Sequence, residues 1–323
     1  MKKIKEILHE SVHGTPLGFA EGVEGYSGKK LGTLLKRASE KFLRPRETCY
    51  LEIGVYRGLT LLSIGDHLQQ TGNQSSVFGI DNFSQFDVDG QNKKTVEAGL
   101  KRLNLNNVSL INLDYEVALQ NLAEHIGDQK IGVFFIDGPH DYRSQLMCLQ
   151  MALPYLADEC VIIVDDCNYQ HVRLSTRDFL ICHPEFKLAF EGYTPCHPKN
   201  ATPEQEQEFR ETWWDGVHCI VRDPDNTLPI QLPEVGTARE LCLNEHEFQA
   251  FKYAHYLREI RQAVDFIENF RLPSALFDLR KLSRMQRLSK KLQGYRDSNP
   301  EITKSMNTYS DQLKSEIVNK GLL

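Results

Sequence analysis

Apolar positions along the first 225 residues follow two rhythms. Ile4, Ile7, Leu8 and Val12 recur at helical spacing, as do Leu31, Leu34, Leu35, Ala38 and Phe42; each set predicts a helix with one buried face. From residue 49 short apolar runs take over: "CYLEIGV" (49–55), "SVFGID" (76–81), "VSLINLD" (108–114), "IGVFFID" (131–137) and "CVIIVDD" (160–166). The segments between them return to helical spacing, as in Leu146, Leu149, Ala152 and Leu153. Short β-rich runs alternating with helices predict βαβ units and a parallel sheet covered on both faces. Two more runs, "FKLAFEGY" (186–193) and "VHCIVRD" (217–223), complete the series. No strong helix follows the second, which suits an antiparallel edge strand. The polar, proline-rich stretch between them (194–216) reads as a surface excursion.

At residue 236 the texture changes. Segments 237–270 and 274–295 have helical spacing, with Pro273 between them and "SNPE" before a last helix. The expected division is residues 1–235 as an α/β domain with N-terminal helices, and 236–323 as an α-helical C-terminal extension. In the extension, Arg280, Lys281, Arg284, Arg287, Lys290 and Lys291 form a basic face beside the stripe Leu279, Leu282, Met285, Leu288 and Leu292. That stripe predicts packing on the main domain or on a second copy, so a homo-oligomer through these helices is one expectation.

Composition narrows the function class. Apolar residues make up 41% and charged residues 25% of the 323-residue chain, values that support a globular core. The net charge of −6 gives no general attraction to nucleic acid or anionic membrane. No apolar run approaches the ~20 residues of a membrane span, and "MKKIKEILHESVHG" carries charges throughout. A cytoplasmic protein is expected. The eight cysteines include no C-x-x-C pair and read as free, mostly buried thiols.

Candidate chemistry gathers at the strand ends, where open parallel sheets bind ligands. Glu52 lies inside the first run, and Asp81, Asp114, Asp137 and Asp165/Asp166 close the next four. In "YLEIGVYRGLT" (50–60), Gly54 and Gly58 permit a tight turn with close backbone approach to a ligand. Thr60 falls at a helix start, where its hydroxyl and the free N–H groups suit a carboxylate. The G-x-x-x-G spacing is not the G-x-G-x-x-G of dinucleotide sites. Asp81 is placed to accept hydrogen bonds from two ribose hydroxyls. "FFIDGPHDY" (134–142) and "VIIVDDCNY" (161–169) set hard oxygen ligands on neighbouring strands, a donor set suited to Mg²⁺.

"LEIGVYRGLTLL" followed by "FGIDNF" resembles motif I and the acidic second-strand end of class I S-adenosylmethionine-dependent methyltransferases. The likeness, over roughly residues 30–225, is to the divalent-metal O-methyltransferases of the catechol and macrocin types. It implies an α/β fold: a Rossmann-like, seven-stranded, mostly parallel sheet with helices on both faces. It implies a cofactor site built from Glu52, Gly54, Gly58, Thr60, Asp81, Asp114, Tyr115 and Asp137. It also implies a cation held by Asp137, Asp165 and Asp166, with Asn168 a further candidate, and His140 as general base beside catalytic Asp137. Catechol-type members carry a lysine near this base; "GPHDYRS" has none, which favours sugar or alcohol acceptors.

The expected activity is therefore Mg²⁺-dependent O-methylation of a small-molecule hydroxyl, on a glycoside or other secondary metabolite. Two alternatives stay open at this level: a metal-independent methyltransferase, and a non-catalytic binding or assembly protein that keeps the fold. His171 and Arg173 are read as a solvated helix start. Trp213 and Trp214, beside Asp215 and His218, are read as one buried ring and one that caps a loop; stacking on a sugar or aryl ring is the functional alternative. There is no zinc spacing, nucleophile elbow or P-loop.

Overall fold

The computed structural model describes residues 2–84, 87, 90–235 and the backbone of 316–318. The chain divides into two units, Met1–Val235 with Asn307–Leu323, and Gly236–Met306. The second lies outside the described residues, and with it the basic face and apolar stripe of 279–292 and Cys242.

Helices α1 (Lys2–His13) and α2 (Lys29–Phe42) bury the predicted faces: Ile4, Ile7, Leu8, Val12, Leu31, Leu34, Leu35 and Ala38 are all in the core. Five parallel strands follow: β1 (Thr48–Ile53), β2 (Val77–Ile80), β3 (Val108–Ile111), β4 (Lys130–Ile136) and β5 (Leu156–Asp165). They alternate with α3 (Leu59–Gln70), α4 (Asn92–Arg102), the short α5 (Tyr115–Gln120) and α6 (Ala123–Ile126), and α7 (Tyr142–Ala152). α8 (Gln170–Cys182), β6 (Phe186–Gly192), α9 (Pro203–Glu211), β7 (Val217–Arg222) and β8 (Glu316–Val318) complete the unit. The sheet order is β3-β2-β1-β4-β5-β7-β6-β8.

Successive residues of each strand face opposite sides, so the sheet feeds two cores. Tyr50, Val133, Phe135, Val161 and Ile163 join one face, under α1 and α2. Leu51, Ile53, Phe134, Ile136, Ile162 and Val164 join the other, with Leu149 of α7 and Phe179 of α8. Burial on both sides explains why these strands lack polar alternation.

The sequence reading needs two corrections. β7 is antiparallel as expected, but it lies between β5 and β6, not at an edge. Its residues Val217, Cys219, Ile220 and Val221 are buried, a pattern that only an interior strand satisfies. The edge beyond β6 is paired by β8, from a stretch read as helical; Glu316, Ile317 and Val318 supply an antiparallel ladder to Gly192, Glu191 and Phe190. Such pairing satisfies the unpaired backbone groups that an edge would present. The excursion 194–216 is itself structured: α9 starts at a capping box made by Thr202 and Gln205.

Candidate active site

The strand order reverses across β1 and β4, the place where open α/β sheets bind ligands beyond their carboxyl ends. Backbone hydrogen bonds carry the pairing one residue past the strands. Gly54 N–H donates to Ile80 O at 2.9 Å, Asp81 N–H to Ile111 O at 3.1 Å, and Asp137 N–H to Ile53 O at 2.8 Å. Gly54, Asp81 and Asp137 thus stand in one row.

Both glycines are required, though by protein neighbours. Gly54 has φ 88°, and a Cβ there would lie 1.8 Å from the Asp137 carbonyl oxygen. Gly58, at φ 86°, is the left-handed N-cap of α3. Thr60 is accordingly inside the helix, and its hydroxyl donates to Glu52 Oε1 at 2.8 Å rather than capping a ligand. Tyr50 donates to Glu52 Oε2 at 2.6 Å. Glu52 is fully buried, and that burial lifts its pKa to about 8 against the two hydrogen bonds, with the Asp81 charge adding to the rise. The carboxyl is therefore largely protonated at neutral pH.

Asp81 ties down the turn. Its Oδ2 accepts from Val55 and Tyr56 N–H, both at 2.9 Å, and its Oδ1 from Phe83 N–H at 2.7 Å. A carboxylate has about four acceptor positions, so these three donors leave room for a further one. Asp114 is exposed and N-caps α5 through Glu116 N–H at 2.9 Å; Asn82 reaches it at 3.4 Å. Half-buried Tyr115 donates to Glu116 at 2.9 Å.

Past β4 and β5, Asp137, His140 and Asp166 each offer a ligand atom within 4.8 Å of the others. His140 Nε2 lies 2.6 Å from Asp166 Oδ2. The adjacent Asp141 instead caps α7 through Ser144 N–H at 2.9 Å. Asp165 does not join this group: it is buried, and its Oδ1 accepts the Asp166 N–H at 2.9 Å. Asn168 also turns elsewhere, donating to Thr194 O and Oγ1 at 2.8 and 2.9 Å. Burial, then Asp165 and Asp166, push Asp137 well above the usual carboxylate range. Burial and Asp166 do the same to Asp165. Burial would also raise Asp166, but His140, His197 and a hydrogen bond with Asp215 outweigh it and hold Asp166 low. Burial opposes charge on His140, yet Asp166 prevails and raises it. Carboxylates that repel one another in a half-closed rim, with an imidazole beside them, form a donor set that a dication would neutralise.

The structure adds residues that sequence reasoning missed. The Tyr169 ring lies 4.8 Å from the His140 ring and meets His197 edge-on at 6.1 Å. His197 Nε2 is 3.6 Å from Oδ2 of Asp215, which is fully buried beside Asp166. Asn168 N–H to Asp215 O, at 3.0 Å, ties the β7 approach to the β5 exit. No sequence signal marks His197, which sits in the proline-rich excursion. Arg173 is not solvated: it is buried, and its guanidinium donates to Cys167 O at 3.0 Å, to Asn168 O, and to Glu234 O at 2.8 Å. His171, its neighbour, is half-buried. Trp213 is buried while Trp214 is partly exposed. His218 is fully buried at 3.0 Å from Tyr193 Oη, and burial with Arg173 lowers its pKa to about 3, a packing role. Tyr142 donates to Asp178 at 2.6 Å and Arg143 pairs with Glu116, so both brace helices.

A family model described as a methyltransferase domain matches residues 51–167, the span from β1 to the loop after β5. The likeness is thus to a methyltransferase domain, over 117 of the 323 residues. No curated protein matches the sequence. Among solved structures, the chain is similar to an O-methyltransferase from Bacillus cereus in complex with S-adenosylhomocysteine. The identity is 15% over 69% of this chain and 91% of that one, with a TM-score of 0.44. A putative O-methyltransferase from Klebsiella pneumoniae gives 17% identity, 69% and 89% coverage and a TM-score of 0.44. The O-methyltransferase TomG from Streptomyces achromogenes, in complex with S-adenosylmethionine, gives 12%, 69% and 90%, and 0.45. Among the described residues, no helix is long and apolar enough to cross a membrane.

Proposed function

We propose that this chain methylates a hydroxyl group of a small molecule, a glycoside or other secondary metabolite, with a divalent cation at the rim. The observation that carries the reading is the placement of Asp137, His140 and Asp166 within 4.8 Å of one another at the switch point of a methyltransferase domain.

S-adenosylmethionine, when bound, supplies an electrophilic methyl group. Gly54, Gly58, Asp81, Asp114 and Tyr115 are the residues assigned to hold it, along the carboxyl ends of β1 to β3. A cation such as Mg²⁺ supplies Lewis acidity toward acceptor oxygens. Asp137 and Asp166 would hold it, with buried Asp165 fixing the Asp166 backbone through its N–H. His140, oriented by Asp166, takes the proton of the acceptor hydroxyl. Tyr169 and the His197–Asp215 pair close the flank, which limits the positions open to the acceptor and so orients it.

Calorimetric titration of the purified chain tests the reading, first with S-adenosylhomocysteine and then with Mg²⁺ or Mn²⁺ after chelation. S-adenosylhomocysteine should bind the wild type and Asp166→Ala alike, while cation binding should be lost in Asp166→Ala. Absence of S-adenosylhomocysteine binding would remove the activity; cation binding that survives Asp166→Ala would remove the cation site.

A further inference from the structure

Tyr26 sits in the irregular segment between α1 and α2, with its ring stacked between two others. The Tyr56 ring is 5.7 Å away and tilted by 24°; the Trp214 ring is 5.7 Å away and tilted by 21°. Each of these two rings also carries a cation, Arg57 at 5.5 Å from the Tyr56 centroid and Arg210 at 4.8 Å from that of Trp214. The backbones of both residues are anchored. Tyr56 N–H is bonded to Asp81, and Trp214 N–H donates to Phe209 O at 3.0 Å. Both residues have left-handed backbones, φ 50° for Tyr56 and 65° for Trp214. A side-chain-bearing residue resists that conformation, and strain of this kind persists where surrounding contacts enforce it, often at ligand sites.

Tyr26 differs from its two neighbours. It is 58% exposed. It enters on glycines that permit close contact: a Cβ on Gly25 would lie 2.6 Å from Leu59, and one on Gly28 would lie 2.1 Å from Thr212 O. Two anchored rings thus flank one exposed ring that a glycine-flanked strap brings in. The flanking rings also mark the two halves of the rim: Tyr56 is tied to Asp81, and Trp214 directly precedes Asp215, the neighbour of Asp166.

We propose that Tyr56 and Trp214 form a ring-wide slot for a flat, unsaturated ring of the methyl acceptor, and that Tyr26 fills this slot until the acceptor displaces it. The inference rests on the methyltransferase reading and narrows its acceptor to a molecule with an aryl or heteroaryl ring, free or as the aglycone of a glycoside. The ring stacked there now, that of Tyr26, is flat and unsaturated, and an aryl ring matches it in thickness more closely than a puckered sugar does. Tyr26 competes for the same two aromatic faces, so removing its ring should tighten ring binding about tenfold.

The test is calorimetric titration of the full chain with 4-methylumbelliferone, its β-glucoside and methyl β-glucoside, each with and without S-adenosylhomocysteine. Both aryl probes should bind at least tenfold more tightly than methyl β-glucoside. Tyr26→Ala should tighten the aryl probes about tenfold, Tyr26→Phe should match the wild type, and Trp214→Leu should weaken them about tenfold. Aryl glucoside binding without 4-methylumbelliferone binding would support an aglycone source, and the reverse a free aryl source. If neither aryl probe binds more tightly than methyl β-glucoside, or if the Tyr26→Ala affinity lies within twofold of wild type, the slot is overturned. Failure of S-adenosylhomocysteine to bind the same samples would instead strike the underlying activity. Melting curves on each variant establish folding, and the exposed Tyr26 pair alone suffices if Trp214→Leu does not fold.

Discussion

A Cβ placed on Gly54 would stand 1.8 Å from the carbonyl oxygen of Asp137, so the ends of β1 and β4 touch backbone to backbone. This contact brings the turn that follows β1 next to the first acid of the cation group. Gly54 also has φ 88°, where any side chain adds strain. Gly54→Ala must part the two strands or twist the turn, at a cost of about 2–4 kcal/mol. Thermal melting should show a loss of roughly 5–15 °C, with weaker S-adenosylhomocysteine binding. A variant that melts within 2 °C of wild type would show that the strand ends can part at little cost.

Glu52 gives the stability a pH dependence of known sign. Its pKa rises from 4.5 to about 8 on folding, so between these values the folded chain binds more protons than the unfolded one. The stabilisation is complete below pH 4.5 and is lost as pH climbs through 8, at up to about 1.4 kcal/mol per pH unit. Glu52→Gln mimics the protonated carboxyl and cannot titrate. Cation-free wild type and variant should have similar stability near pH 5, and the variant should be the more stable by pH 8. Asp137 and Asp165 are common to both proteins, so the difference reports Glu52 together with the repulsion its charge exerts on them. Denaturation curves that stay parallel from pH 5 to 8 would contradict the assignment.

The 2.6 Å contact of His140 with Asp166 separates two roles for the imidazole. As the base, His140 can be replaced by Gln with a 10²–10⁴-fold drop in turnover while cation affinity stays within a few-fold. A cation affinity that falls with turnover would make His140 a ligand instead. In cation-free protein, NMR titration of His140 should give a pKa above its ordinary value, because Asp166 outweighs the burial that opposes it. Asp166→Asn should bring it down. An unchanged titration would mean that Asp166 does not control the imidazole.

Much of the scaffold was legible because local physics suffices for it. The runs at 49–55 and 131–137 have apolar residues on both faces and became β1 and β4, and the spacing of Leu31 to Ala38 became α2. The rim acids could be listed because strand ends bind ligands whatever the sequence between them. What they do there could not be read. Thr60 at a helix start suits a ligand by type, yet Glu52 reaches its hydroxyl first. Arg173 looked solvated because its partners, the Cys167 and Glu234 carbonyls, carry no side-chain signature.

The sequence by itself determined the alternation of helix and strand, the acids closing the strands, and the glycines at 54 and 58, since periodicity and backbone sterics act over a few residues. Only the tertiary structure decided that β7 lies inside the sheet, that Asp165 turns away while His140 meets Asp166, and that His197, Asp215 and Tyr26 come to the rim. These are contacts between segments far apart along the chain. They depend on which surfaces bury one another, and no local pattern of apolar and polar residues encodes them.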